Sequence, residues 1–345
     1  MSIKYNGGYI PAVGADGTTL VANSASATGV AWAGPSVAAG KNAIINGGMD
    51  IWQRGTSLTA IGYTADRWFD YFTSGGCTFT QDSTTVPSGF RYSLKATTSG
   101  ASGAVQFIQA IETANVIPLA GQTVALSFYA ACSTSVQCIA QLNYSTSVDN
   151  SVLGTYTSIT GTTVTYPTLS TTMQKYVITF VVPSTAKTLQ VVISPNTSLA
   201  AGSTFNLTGV QLELGSTATT FSRAGGTLSG ELAACQRYYY RSSNSGSSAG
   251  YGAIGGTQST TSAYFYMPLP VQMRTNPTAL EYANVRIVNY GVAAYSISSM
   301  SLDTASTTQN VGVFTADGAT GMTANRPVFL YASVTNNYVG FTAEL

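Results

Sequence analysis

The acidic residues are the side chains of this sequence that could carry hydrolytic chemistry. The chain of 345 residues has 13 Asp and Glu and no His, so the commonest general base is missing and paired carboxylates remain. Glycan cleavage needs two carboxyl groups about 5–9.5 Å apart. If residues 66–72 form one strand, Asp66 and Asp70 share a face but lie about 13 Å apart, which is too far. Asp82 with Glu213, from distant segments, stays open as a pair.

Two short motifs match catalytic or nucleotide-binding patterns and fail on context. Residues 246–250 fit G-x-S-x-G, but the nucleophile elbow needs a following helix and a His partner. Residues 250–255 fit G-x-G-x-x-G, but they lead into a predicted strand and lack a suitably placed acid. No Cys or His cluster and no calcium-loop pattern occurs in the sequence. We therefore predict that the protein is not an enzyme and has no catalytic residue, no metal site and no cofactor.

Tyrosine is the residue type in informative excess, with 21 Tyr against 13 Phe and 3 Trp. Its ring is apolar and rigid and carries a hydroxyl, so Tyr-rich β surfaces can stack sugars or form interfaces. Packing in a core is the alternative for each ring. The candidate glycan-binding residues are Tyr251, Tyr264, Tyr266, Tyr282 and Tyr290.

The charge content excludes several partners. Only 8% of residues are charged and the net charge is +1, so the sequence has no excess of basic residues that would bind a nucleic-acid backbone. No apolar run approaches the roughly 20 residues of a membrane span, so we expect no membrane insertion. Low charge also weakens repulsion between copies, so we expect an obligate assembly. The four Cys are too sparse for a disulfide scaffold and are expected as buried thiols.

The elements that must position these side chains are strands. Short β-type runs separated by turn clusters predict an all-β chain with two β-sandwiches. A single helix is predicted over residues 228–238, with Ser229 as its cap and Glu231 in its first turn. We predict an extended N-terminal attachment arm (1–40), a first β domain (41–223), a short connecting helix and linker (224–250) and a distal C-terminal β domain (251–345).

Two blocks of sequence resemble a module of tailed-bacteriophage tail-fibre and other virion proteins. The first runs over residues 41–55 and 63–68 and includes Asn46, Gln53 and Trp68, and the second runs over residues 209–239 and includes Gln211 and Glu213. Residues 17–32 are similar to a segment that precedes fibre domains, and residues 273–278 to a turn of C-terminal fibre domains. In that family the module is similar to jelly-roll carbohydrate-binding modules, which implies a jelly-roll β-sandwich for residues 41–223.

The resemblance also implies a role. It implies a virion structural protein, a homotrimer of the short tail-fibre or tail-tip type, assembled in the cytoplasm of the host bacterium. Residues 1–40 would attach it to other virion proteins, and the distal domain would contact host cell-surface polysaccharide. One alternative is a trimeric capsid decoration or cement protein that binds no glycan. Another is a tailspike-like glycan hydrolase.

Overall fold

The computed structural model describes residues 41–100, 104–161, 167–244, 246, 248–289 and 293–345, with four short strands among the first forty residues. These strands pair antiparallel, β1 with β2 and β3 with β4: β1 (Lys4–Tyr5), β2 (Gly8–Tyr9), β3 (Thr19–Ala22) and β4 (Val30–Ala33). The rest of the predicted arm lies outside the described residues.

The next strands form two antiparallel six-stranded sheets that pack face to face. They are β5 (Ser57–Leu58), β6 (Gly62–Tyr63), β7 (Phe69–Phe72), β8 (Cys77–Asp82), β9 (Ser93–Thr98), β10 (Val105–Ile111), β11 (Thr123–Cys132), β12 (Cys138–Ser145), β13 (Thr157–Ile159), β14 (Gln174–Val181), β15 (Thr188–Pro195) and β16 (Thr204–Leu214). Sheet I has the order β13-β12-β15-β10-β7-β6, and sheet II has the order β14-β11-β16-β9-β8-β5. A short helix, α1 (Thr113–Val116), and a 3₁₀ turn (Ile117–Leu119) follow β10.

The core of this jelly-roll sandwich comes from alternate residues of the two inner faces, as a period-two pattern requires. Trp68, Phe79 and Phe128 are fully buried in it. The rings of Phe107 and Phe205 stack between the sheets with their centroids 5.0 Å apart. The prediction of an all-β chain with a jelly-roll sandwich is confirmed.

The C-terminal strands form a second sandwich of three and seven strands. They are β17 (Tyr239–Asn244), β18 (Gly250–Thr257), β19 (Ser262–Pro268), β20 (Ala279–Ala283), β21 (Val285–Asn289), β22 (Ala293–Ser296), β23 (Ser299–Leu302), β24 (Val311–Asp317), β25 (Pro327–Ala332) and β26 (Asn337–Thr342). Sheet III is β17-β26-β20, and sheet IV is β22-β21-β25-β18-β19-β24-β23. The two layers meet at Phe314 and Phe341, whose ring centroids are 6.0 Å apart.

The helix between the sandwiches, α2 (Leu228–Gln236), differs from its prediction at the cap. Its N-cap is Thr227, whose hydroxyl accepts from the Gly230 N–H at 3.0 Å, so the assignment of Ser229 was wrong. The predicted linker also begins too early, because residues 242–244 already pair in β17 with β26. Ser and Asn in that stretch look like a linker by composition, but partner strand β26 orders them.

α2 and the C-terminal residues cover the outer face of sheet I. Ile108 of β10 and Val192 of β15 point away from the sandwich core and belong to one buried cluster with Cys235, Tyr238 and Leu345. The part of this face around Ile108 and Val192 is therefore filled by the chain itself.

The two sequence blocks that carry the family resemblance lie against each other. The Asn46 N–H donates to the Glu231 carboxylate, and the Val210 N–H donates to the Gly47 carbonyl at 2.9 Å. The Asn42 amide donates to the Val210 carbonyl at 3.1 Å. Glu231 is buried, which raises its pKa, although N–H groups of the chain donate to both of its oxygens. These motif residues hold α2 against the first sandwich.

Candidate functional site

The outward face of sheet IV carries the exposed aromatic rings of the C-terminal sandwich. Along β19, Phe265 and Met267 point into the core, so Tyr264 and Tyr266 point outward. The two Tyr rings contact edge to face, with centroids 5.4 Å apart and planes at 72°. Tyr266 has 53% of its surface exposed. The structure thus brings together two of the five predicted tyrosines.

Residues of two neighbouring strands extend this surface. Ile254 of β18 pairs with Tyr266 and is 59% exposed, and Phe329 of β25 pairs with Ile254 on its other side. Tyr331 follows on the same face of β25, beside Gly250, where an added Cβ would lie 3.3 Å from its ring. We call these five residues, Tyr264, Tyr266, Ile254, Phe329 and Tyr331, the aromatic face.

Ile254, Phe329 and Tyr331 were missed by the sequence analysis. The signal that could have found them is alternation, since Phe329 and Tyr331 are two residues apart in a strand whose intervening Leu330 is buried. The position of β18 between β19 and β25 depends on long-range strand pairing, which alternation along one strand does not predict.

A hydrogen bond fixes the ring of Tyr264. Its hydroxyl donates to Oδ2 of Asp303, while Oδ1 accepts from the N–H groups of Ala305 at 3.0 Å and Ser306 at 3.2 Å. The bond from Tyr264 is the largest cause of the lowered pKa of Asp303, which stays ionised. The same bond raises the pKa of Tyr264. The Tyr264 ring is therefore held in place before any ligand arrives.

The other predicted tyrosines do not join the aromatic face. Tyr251 is 6% exposed, its hydroxyl donates to Asn337 and burial raises its pKa to about 12, so its ring belongs to the core. Tyr282 lies on β20 of sheet III and packs partly buried against the same core. Tyr290 lies outside the described residues. For Tyr251 the alternative of core packing was the correct one, because inward and outward positions alternate along β18.

Asp66 and Asp70, the first acids considered for glycan cleavage, are enclosed by the protein. Asp66 and Asp70 are both fully buried, and burial raises the pKa of Asp66 to about 6. Asp66 accepts from the Gln53 N–H at 2.9 Å, while Asp70 accepts from the Thr64 hydroxyl. Each carboxyl therefore faces the chain's own groups. Residues 66–68 precede strand β7, so the strand assumed over residues 66–72 is shorter than expected.

The second pair, Asp82 and Glu213, lies on the outer face of sheet II. Asn206 of β16 donates to Asp82 at 2.9 Å, and Glu213 lies seven residues further along β16. At about 3.3 Å per residue that separation is about 23 Å along the strand, too far for joint attack on one glycosidic bond. Burial opposes ionisation of both groups, but hydrogen bonds from Thr84 to Asp82 and from Thr219 to Glu213 outweigh it and lower both pKa values.

In the part of the chain that the structure describes, no three or more His, Cys, Asp or Glu residues are grouped so that they could hold a metal ion. No helix among the described residues has the length and apolar character needed to cross a membrane. All four Cys are buried and free.

Comparisons with known proteins give structural likenesses alone. No protein-family model matches the chain, and no curated protein matches it. Among solved structures, the enzymatically active domain of tailspike protein 4 of bacteriophage CBA120 is similar at 15% identity and a TM-score of 0.33, over 52% of this chain and 22% of that one. The CBM22-1 xylan-binding domain from Paenibacillus barcinonensis Xyn10C is similar at 12% identity and a TM-score of 0.31, over 53% of this chain and 100% of that one.

The N-terminal cellulose-binding domain from Cellulomonas fimi β-1,4-glucanase C is similar at 19% identity and a TM-score of 0.29, over 48% of this chain and 97% of that one. The chain thus spans less than a quarter of the tailspike domain's length and nearly all of the two binding domains. At these TM-scores the likeness is loose, and nothing about ligand or activity follows from it.

Proposed function

We propose that the protein is a non-enzymatic bacteriophage virion protein of the short tail-fibre or tail-tip type that contacts host surface glycan through the aromatic face. The observation that carries the glycan contact is the exposed Tyr264–Tyr266 pair, held in place by Asp303 and continued by Ile254. The virion role is supported by the resemblance of the two sequence blocks to tail-fibre modules. Residues 1–40 are proposed to attach the protein to the particle, where it resides.

Sugar rings present an apolar C–H face that packs on an aromatic ring, while their hydroxyl groups need polar neighbours. The aromatic face offers the rings of Tyr264 and Tyr266 for the first requirement. For the second requirement, the hydroxyl of Thr315 lies on the same face, because Thr315 of β24 pairs directly with Tyr264 of β19. A surface that is both apolar and hydrogen-bonding fits a glycan better than it fits a purely apolar partner.

The energetics favour several copies. One aromatic contact contributes about 1 kcal/mol, so a few rings on one copy bind at about the millimolar level. Linked copies raise the avidity by about 10²–10⁴ when one polymer spans them. We therefore propose a homotrimer. Mass measurement of the purified full-length protein tests this, and a monodisperse monomer at micromolar concentration contradicts it.

The experiment for the glycan contact is adsorption of the purified full chain to host cells. Wild type should adsorb to susceptible cells and not to resistant ones, and Ile254→Ala with Tyr266→Ala should reduce adsorption at least tenfold with an unchanged melting temperature. Ile117→Ala is the matched control, because Ile117 is 69% exposed in the 3₁₀ turn of the other sandwich.

Three outcomes separate the rival functions. Absence of adsorption of wild type to susceptible cells, with susceptible and resistant strains behaving alike, replaces the proposal with capsid decoration. Release of oligosaccharide from surface polysaccharide by wild type, abolished by Asp82→Asn or Glu213→Gln, replaces it with a glycan hydrolase. Unchanged adsorption of the Ile254→Ala, Tyr266→Ala double variant moves the contact away from the aromatic face.

A further inference from the structure

Two rows of outward side chains cross the strands of sheet IV at the aromatic face. Directly paired residues of neighbouring strands point to the same side, so the register defines each row. The first row runs over Val288, Phe329, Ile254 and Tyr266 and ends at Val313 of β24, which pairs with Tyr266 but is only 1% exposed. The second row runs over Pro327, Gly256, Tyr264, Thr315 and Ser301.

Neither row contains a charged side chain. The nearest charged side chains, Arg286, Asp303 and Asp317, lie at the margins of the rows, with Asp317 two residues beyond Thr315 on the same face of β24. Arg286 pairs with Tyr331 one position beyond the first row, and its guanidinium donates to the Ser248 hydroxyl at 3.2 Å. Asp303 accepts from the hydroxyl of Tyr264, and from the N–H groups of Ala305 and Ser306. The centre of the face therefore matches an uncharged ligand, and a charged one would meet no opposite charge there.

A gap opens in the second row at Gly256. Pro327 and Tyr264 lie on the strands to either side of it, about 10 Å apart at the strand spacing. A Cβ added at Gly256 would have only the Arg326 carbonyl oxygen within 4 Å, at 3.9 Å. Among the described residues, the space beside the Tyr264 ring is therefore open to an added side chain.

The spacing of the first row indicates the length of the ligand. Tyr266 and Phe329 lie on either side of Ile254, two strand spacings or about 10 Å apart. One sugar ring cannot contact both aromatic rings, whereas a chain of sugars lying across the strands can. The hydroxyls of Thr315 and Ser301 continue the second row and lie within reach of the same chain.

We infer that the aromatic face binds an uncharged glycan of at least two sugar residues, lying across the strands with one sugar beside Tyr264 in the Gly256 gap and another towards Phe329. This inference rests on the proposed function and specifies its ligand. A second copy of this chain is the competing occupant, and it is an outcome of the test below.

The test uses surface polysaccharide from susceptible cells, separated by anion exchange into uncharged and acidic fractions, cleaved by mild acid and sorted by size. Binding of the full chain is measured at about 20 mM and about 500 mM NaCl, because salt screens ionic contacts and leaves stacking intact. We expect binding to the uncharged fraction, at least tenfold tighter for fragments of four or more sugars than for single sugars, and unchanged within twofold by salt.

Gly256→Val fills the gap and removes no aromatic ring, so it should weaken this binding at least tenfold. Gly246→Val is its control, because an added Cβ at Gly246 meets no atom of the described residues within 4 Å and Gly246 precedes β18. Equal melting temperatures of the two variants show that the fold is intact.

The outcomes distinguish failure of this inference from failure of the proposed function on which it rests. Binding to the acidic fraction, weakened by salt and by Arg286→Gln, overturns the inference and leaves the proposed function standing. Dissociation of an oligomer by Tyr266→Ala, without any glycan binding by wild type, assigns the face to a second copy and overturns the inference. If wild type binds neither fraction and does not adsorb to susceptible cells, the proposed function fails as well.

Discussion

The guanidinium of Arg67 lies over the ring of Tyr238, with Cζ 3.6 Å from the ring centroid. Arg67 belongs to the first sequence block and Tyr238 to the end of the second, and Glu344 of the C-terminal segment completes the contact by pairing with Arg67. Arg54 also pairs with Glu344, at 3.3 Å, and its guanidinium lies over the Tyr239 ring. The arrangement joins the two sandwiches through a charged cluster from which water is largely excluded.

The Glu344→Gln substitution should strongly destabilise the protein. It leaves the positive charge of Arg67, whose side chain is 2% exposed, without its carboxylate, and a broken buried ion pair costs about 3–5 kcal/mol. Denaturant unfolding measures the loss. Glu112→Gln is the control, since it leaves without its carboxylate the side chain of Arg237, which is 40% exposed, and should cost much less. Equal losses of unfolding free energy in the two variants would contradict the larger contribution expected of the buried Arg67–Glu344 pair.

The local elements could be predicted from the sequence, whereas the contacts between them could not. Short β-type runs between turn clusters predicted the strands around Phe107, Phe128 and Leu207. Residues 279–288 are one β-type run in the sequence, but the structure divides them at Asn284, φ 51°, so that β20 joins sheet III and β21 joins sheet IV. Whether a half-buried strand changes layers depends on its partners, and these are distant in sequence.

The candidate site shows the same limit. Tyr264 and Tyr266 were predicted because of their residue type, but the Gly256 gap and the row through Phe329 follow from register. Register is set by turns and by tertiary packing, and a slip of one residue would turn the aromatic face into the core.

The Gly209→Ala substitution should destabilise the jelly-roll sandwich. Gly209 has φ +62° at the point where the pairing of β11 with β16 shifts register, and an added Cβ would lie 2.7 Å from the Phe90 ring and 2.8 Å from the Tyr129 ring. The matched control is Gly202→Ala, with φ +81° and nothing within 4 Å of the added Cβ. Gly202→Ala has only the cost of placing a residue with a Cβ in a left-handed backbone conformation, about 1–2 kcal/mol. Thermal melting should therefore place Gly209→Ala several degrees below Gly202→Ala, and coincident curves contradict the contact.

The four thiols should be unreactive in the folded protein. Cys77, Cys132, Cys138 and Cys235 are all buried and free, and burial raises the pKa of Cys77 and of Cys138 to about 12. The thiolate is the reactive form, so both access and ionisation oppose reaction. A thiol-specific disulfide reagent should release no chromophore from native protein and four equivalents after denaturation. Rapid reaction of the native protein, or fewer than four equivalents after denaturation, goes against this.

Asp70 points into the sandwich core from β7 and has incomplete hydrogen bonding. Oδ2 accepts from the Thr64 hydroxyl, whereas Oδ1 is buried with no partner among the described residues. Burial raises the pKa of Asp70 well above its usual value, so the native state holds a proton on this carboxyl when the unfolded chain has lost it.

The sign of the pH dependence follows from that proton. A carboxyl with a raised native pKa contributes its full stability below the unfolded pKa of about 3.9 and loses it as the pH rises towards the native pKa. Asp70→Asn keeps an acceptor for Thr64 and cannot ionise, so its melting temperature should exceed that of wild type increasingly from pH 5 to pH 8. Asp82→Asn serves as the control, because the pKa of Asp82 is lowered and the group stays ionised in both states over this range. Its melting curve should run parallel to that of wild type. Parallel curves for Asp70→Asn and wild type would show that Asp70 is ionised in the native core, against the burial seen at β7.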